Sequence, residues 1–258
     1  MRASRLIPLG DRPPLWREAR FGLEAAALLR DPIFRGDGVS AGRGRPVLLI
    51  PGFLAGDGSL SMMAGWLKRG GYRPSRAGMV ANVNCAGTVM PRLEERLERL
   101  VSEQGQKAAI VGQSRGGTLA KLVALRRPDL VCGIVTLGSP NLDPLAINAL
   151  LARQVALVAA LGQAGMPGFF RRECLAGDCA DAVAAELARP WPSGLPYVAV
   201  YSRRDAVVDW RACLDPAAEH VEVDASHVGM GVNPAVYAVL GARLGALAAP
   251  ATAFGATG

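Results

Sequence analysis

The chain has 258 residues, half of them hydrophobic and a fifth charged, which suits one large globular domain and excludes wholesale disorder, collagen-like repeats and coiled coil. The formal net charge of +7 comes from arginines scattered through an Ala- and Gly-rich chain, with Lys68, Lys107 and Lys121 as the lysines. Arg43 and Arg45 form a local pair without interleaved aromatics, so nucleic acid is not an expected partner.

The N-terminus carries Arg2 and Arg5 but no apolar stretch before Asp11-Arg12-Pro13-Pro14, so no secretory signal is visible. The longest apolar run, 145–161, is broken by Asn148, Arg153 and Gln154, so stable membrane insertion is not expected either. The expected location is cytoplasmic. Five cysteines do not make a disulfide scaffold. Cys85 and Cys132 read as small buried hydrophobes. Cys174, Cys179 and Cys213 form a second group in which one disulfide is an open alternative, and no zinc site is expected, because neither histidine has ligand spacing to them.

Residues 14–30 show a helical period ending at Asp31-Pro32 and packing on the outside of the core. After a glycine-rich connector, Pro46-Val47-Leu48-Leu49-Ile50 is apolar without alternation, as in a strand buried on both faces. Ser59 caps a helix through Lys68 that ends at Gly70-Gly71, with Met62, Met63 and Trp66 as its core residues, and 73–80 is a weak strand. Pro91 opens the next helix, followed by a strand over 108–112, a helix over 115–126 and a strand over 133–137. Later, 197–201 and 220–223 read as strands and 234–247 as a closing helix. This alternation predicts an α/β fold, with a mostly parallel central sheet covered by helices on both faces.

Between 141 and 195 the rhythm breaks. The interval is mainly helical, with an apolar face and then Gly165, Pro167, Gly168 and the pair Phe169-Phe170, and a connection of that length predicts a helical cap or lid. The expected organisation is an N-terminal helix and connector (1–45), a first part of the core (46–140), the cap (141–195), a second part of the core (196–248) and a flexible tail (249–258).

Gly112-Gln113-Ser114-Arg115-Gly116-Gly117 lies where a strand gives way to a helix. A turn that sharp crowds its neighbours, so glycines are needed two positions either side of Ser114, and the serine stands at a helix N-terminus, where N–H groups favour developing negative charge. A hydroxyl needs a base to become a nucleophile. His220, at the start of a strand, reads as structural; His227 follows the last strand, at the sheet edge that also holds Ser114. The imidazole needs a carboxylate in turn, and Asp205 is favoured over Asp209, because it comes sooner after its strand and Asp209 can cap the segment 210–213.

The order Ser114, Asp205, His227 on alternating strands and helices resembles the α/β-hydrolase superfamily over roughly 46–247, and Leu49-Ile50-Pro51-Gly52-Phe53 is most similar to its bacterial lipase and esterase branch. In that branch the segment usually reads His-Gly, so Pro51 is a departure that leaves the backbone donor of Phe53 in place. The resemblance implies an acyl-enzyme on Ser114, His227 as base and then acid, Asp205 as its partner, and an oxyanion hole from the N–H groups of Phe53 and Arg115. Leu54, Phe169, Phe170 and Val228 are the expected substrate-lining residues, with no cofactor and no metal. The expected substrate is a small ester with an apolar acyl or alkyl chain. Thioester hydrolysis, transacylation, perhydrolase activity and non-catalytic binding on the same fold stay open, and the oligomeric state is not readable.

Overall fold

A computed structural model describes residues 13–248; the expected tail, 249–258, lies outside the described residues. Six strands, β1 (Pro46–Ile50), β2 (Arg73–Arg76), β3 (Ala108–Gln113), β4 (Val131–Leu137), β5 (Tyr197–Tyr201) and β6 (Glu219–Glu222), form one sheet in the order β2-β1-β3-β4-β5-β6. Every neighbouring pair is parallel. The helices are α1 (Phe21–Arg30), α2 (Pro32–Arg35), α3 (Ser61–Arg69), α4 (Ala86–Gln104), α5 (Arg115–Arg126), α6 (Ala149–Gln163), α7 (Asp178–Leu187) and α8 (Pro234–Ala248).

Side chains alternate across a strand, so β1 sends Val47 and Leu49 into one core and Leu48 and Ile50 into another. The first core takes Leu28 of α1, Met63 and Trp66 of α3 and Tyr237 of α8; the second takes Leu93 and Leu97 of α4, Leu122 of α5 and Leu187 of α7. Helices thus cover both faces, which is why the central strands carry unbroken apolar runs.

Several boundaries depart from the expected ones. The N-terminal helix is two pieces, a 3-10 turn over Leu15–Arg20 and then α1, with Leu28 buried and Trp16 and Leu23 exposed. Ser59 does not cap α3; its hydroxyl donates to the Gly56 carbonyl within the 3-10 turn Asp57–Leu60 that leads into the helix. β2 stops at Arg76, and two residues on, the chain has left the sheet, where the Asp57 carboxylate accepts the N–H groups of Gly78 and Met79 at 2.9 and 3.0 Å. Pro91 does not open α4. The helix starts at Ala86, where the N–H groups of Thr88 and Val89 turn back to the Cys85 carbonyl, and buried Val89 and Met90 hold the turn in which Pro91 lacks a donor.

The long interval contains α6 and α7, joined by a 3-10 turn over Arg172–Cys174. Leu187 joins the second core, and the apolar residues of α6 and its flanks form two smaller clusters. Val158, Ala159 and Phe170 gather with Val83 and Phe53, and Ile147 gathers with Val208 and Cys213, while α7 leans on α5. These clusters lie over the loops that follow β1 and β5.

All five cysteines are free thiols. Cys213 is buried beside Ile147 and Val208, apart from the others of its expected group. Cys85 is not simply a core residue: its sulfur lies 3.3 Å from that of Cys179.

Candidate active site

β3 ends at Gln113, α5 begins at Arg115, and Ser114 between them has φ 52° and ψ −126°, a conformation that costs of order 1–3 kcal/mol and persists only where its surroundings enforce it. They do. A Cβ on Gly112 would stand 2.4 Å from the Gly116 carbonyl oxygen, and one on Gly116 would stand 2.2 Å from that of Ile50. The turn therefore has to be built with glycine at both positions, and the Ser114 N–H is tied to the Leu137 carbonyl of β4 at 2.7 Å.

Asp205 and His227 arrive from the loops after β5 and β6. Asp205 Oδ2 lies 2.6 Å from His227 Nδ1, and its other oxygen accepts the N–H groups of Val207 and Val208 at 2.8 and 2.7 Å. Both side chains are buried, and the ring is left with Nε2 for the side away from Asp205. Burial pushes the imidazole pKa down, but the Asp205 charge and hydrogen bond, with the Glu18 charge, outweigh it and raise the pKa above its ordinary value. Asp209 is engaged elsewhere: its carboxylate caps the 3-10 turn Trp210–Cys213 through the Arg211 N–H at 3.0 Å. His220 bonds the Asp215 carbonyl through Nε2 at 2.7 Å.

Two contacts bring this pair to the serine. Gln113, the residue before Ser114, donates from Nε2 to the His227 carbonyl at 3.1 Å. A Cβ on Gly138, one residue past β4, would stand 3.2 Å from both Asp205 Oδ2 and His227 Nδ1. The Ser114 hydroxyl itself makes no hydrogen bond among the described residues, so the imidazole is engaged on its acid side and not on its serine side.

The segment after β1 lies against the serine: a Cβ on Gly52 would stand 3.3 Å from Ser114 Cβ. Phe53 makes a single parallel bridge with Asn82, whose buried amide donates to the Pro51 carbonyl at 2.8 Å and holds that residue in place. Arg115 is the first residue of α5, where an N–H has no intrahelical acceptor. Its side chain turns away from the serine, donates to the Asn84 carbonyl and lies over the Phe170 ring. Burial pulls its pKa down to about 10, against the raising influence of Cys85 and Cys174.

The expected lining residues part company. Leu54, with φ 61°, and Val228 are exposed, while Phe170 is buried against Phe53 with ring centroids 5.9 Å apart. Phe169 faces a cavity of about 380 Å3 that it shares with Asn84, Cys85, Cys174 and Cys179, and none of Ser114, Asp205 or His227 lines that space.

Sequence reasoning missed two carboxylates. Glu18 accepts the N–H groups of Ala206, His227 and Val228 at 3.1, 3.2 and 3.0 Å, joining the loop of Asp205 to that of His227. Buried Glu24 accepts the N–H and the hydroxyl of Ser226 at 2.8 and 2.6 Å. In sequence Glu18 sits among charged residues and Glu24 stands alone in an apolar run, and nothing local marks either as a partner of the later loops.

No protein-family model and no curated protein matches the sequence. Solved structures do resemble the fold. A mature lipase of Bacillus licheniformis superposes with a TM-score of 0.60 at 14% identity, over 78% of this chain and 92% of that one. A Paleococcus ferrophilus monoacylglycerol lipase gives 0.57 at 14%, over 81% and 97%, and a Saccharomyces cerevisiae monoglyceride lipase 0.56 at 15%, over 82% and 87%.

Proposed function

The chain has the α/β-hydrolase fold, and from that premise we propose that it is a serine hydrolase cleaving carboxylic esters, with Ser114, His227 and Asp205 as nucleophile, base and acid. The observation that carries the reading is the 2.6 Å Asp205–His227 pair beside a serine in a glycine-enforced strand-to-helix turn. The lipases that share the fold supply supporting analogy for the ester substrate.

In this mechanism His227 Nε2 takes the Ser114 proton as Oγ attacks the ester carbonyl, and Asp205 stabilises the imidazolium that results. The Ser114–His227 link is open here, and such links commonly tighten when substrate binds. The N–H groups of Phe53 and Arg115 hold the oxyanion, each contributing about 3 kcal/mol to the transition state. His227 then protonates the leaving alcohol, and water, deprotonated by the same imidazole, releases the acid. The interval 141–195 serves as a cap whose apolar clusters over the β1 and β5 loops favour an acyl or alkyl chain.

The test is labelling with a fluorophosphonate. Wild type is expected to be labelled on Ser114 and to hydrolyse short p-nitrophenyl esters, and Ser114→Ala to lose both while keeping its circular dichroism spectrum. A folded wild type that takes no label overturns the proposal.

A further inference from the structure

Three sulfurs from three elements meet away from Ser114. Cys85 precedes α4, Cys174 ends the 3-10 turn of the long interval, and Cys179 lies in the first turn of α7. Their Sγ atoms all lie within 4.8 Å of one another and open onto the 380 Å3 cavity. The half-buried Arg115 guanidinium bonds the carbonyl of Asn84, next to Cys85, and is near enough for negative charge on Cys85 and Cys174 to favour its cationic form. Among the described residues no carboxylate lies within ion-pair distance of it.

A cation in that position needs a counter-charge. A disulfide supplies none: it is neutral, draws two sulfurs to about 2.05 Å and leaves the third thiol over. A thiolate metal centre does supply it. Three thiols and one Zn2+ give a tris-thiolate zinc of charge −1 and three released protons, and that single negative charge balances the single positive charge of Arg115. Distances agree as well. Zn–S bonds of about 2.3 Å at tetrahedral angles set sulfurs about 3.8 Å apart, between the 3.3 Å of Cys85 to Cys179 and the 4.8 Å bound on the whole set.

We propose that Cys85, Cys174 and Cys179 form a zinc site, with solvent from the adjoining cavity as the fourth ligand. The ion fastens both pieces of the long interval to the start of α4 and presses on the side chain that follows Ser114. This site goes beyond ester hydrolysis and does not depend on it.

The experiment reads metal rather than turnover. Full-length protein is reduced, stripped with a chelator, passed through gel filtration and loaded with Zn2+, and its zinc is measured; Co2+ is added to a second sample for its sulfur-to-cobalt charge-transfer absorption. The expected result is one Zn2+ per chain and a thiolate cobalt spectrum that Zn2+ displaces, both lost in Cys85→Ser, Cys174→Ser and Cys179→Ser and kept in Cys132→Ser and Cys213→Ser. Should a serine variant fail to fold, wild type still decides: Zn2+ is expected to protect Cys85, Cys174 and Cys179, and not Cys132, from iodoacetamide. Reduced protein that retains no zinc, cysteines alkylated equally with and without it, or purified metal-free protein 2 Da light from a disulfide among the three overturns the proposal.

Discussion

His227 is subject to opposed influences, burial against the charges of Asp205 and Glu18, and the net effect raises its pKa. A base must be neutral, so activity is expected to fall as pH drops through a midpoint above about 6.5; a rate flat from about pH 5.5 to 8.5 would remove histidine from the mechanism. Stability runs the other way. A raised folded-state pKa stabilises fully below the unfolded value and loses that contribution as pH rises through the folded one. Urea melts of Asp205→Asn should therefore show a larger deficit against wild type at about pH 5.5 than at about pH 8.5. The same variant is expected to lose about ten-thousandfold in kcat, whereas Asp209→Asn, touching a turn cap and the Arg211 guanidinium, changes kcat little; equal mild effects would leave both acids inessential. Glu18→Gln keeps an acceptor for the Ala206 and His227 N–H groups, gives up the one for Val228, and loses a charge that favours the imidazolium. Its acid limb should move to lower pH in a rate profile, and an unmoved limb would reduce Glu18 to a structural tie.

At the scale of elements, α5 carries a second interaction pointing away from the serine. Its buried Lys121 pairs with buried Asp215, which also receives a hydrogen bond from Tyr197 at 3.5 Å. Removing one partner strands the other charge, so Lys121→Met is expected to cost about 3–5 kcal/mol in urea denaturation. Lys121→Met with Asp215→Leu should recover a good part of that; additive losses would mean that the two side chains contribute independently. α5 was readable in full, because the glycines of its turn and the apolar strand before it leave one arrangement. The starts of α3 and α4 were not. Ser59 and Pro91 both look like helix openers, but local propensity is overruled at each place, by the Gly56 carbonyl and by the packing of Val89 and Met90.

For the whole molecule, the sheet and the positions of Ser114 and Asp205 at its rim are legible because each follows an apolar strand, while His227 follows the short polar strand β6 and is placed by chain order, since strands of a parallel sheet end on one side. Contacts between distant segments are not. Sequence alone puts Cys85 in the core, apart from Cys174 and Cys179, and marks no role for Glu18, since pairings 94 and 188 residues apart leave no periodic trace. The clusters that join α6 to the rest are small beside the two main cores. Amides of α6 are accordingly expected to exchange with deuterium well before those of β3, and equal protection would make the cap an integral part of the core. Glu18 has one more consequence. Its His227 partner is 209 residues away, so a nascent polypeptide leaving a ribosome at about 5–20 residues per second carries an unanswered carboxylate for roughly 10–40 s. A chain cut short before β6 and the loop that follows it has no imidazole for Asp205 to hold, so the Asp205–His227 pair forms only when translation of the described residues is all but over.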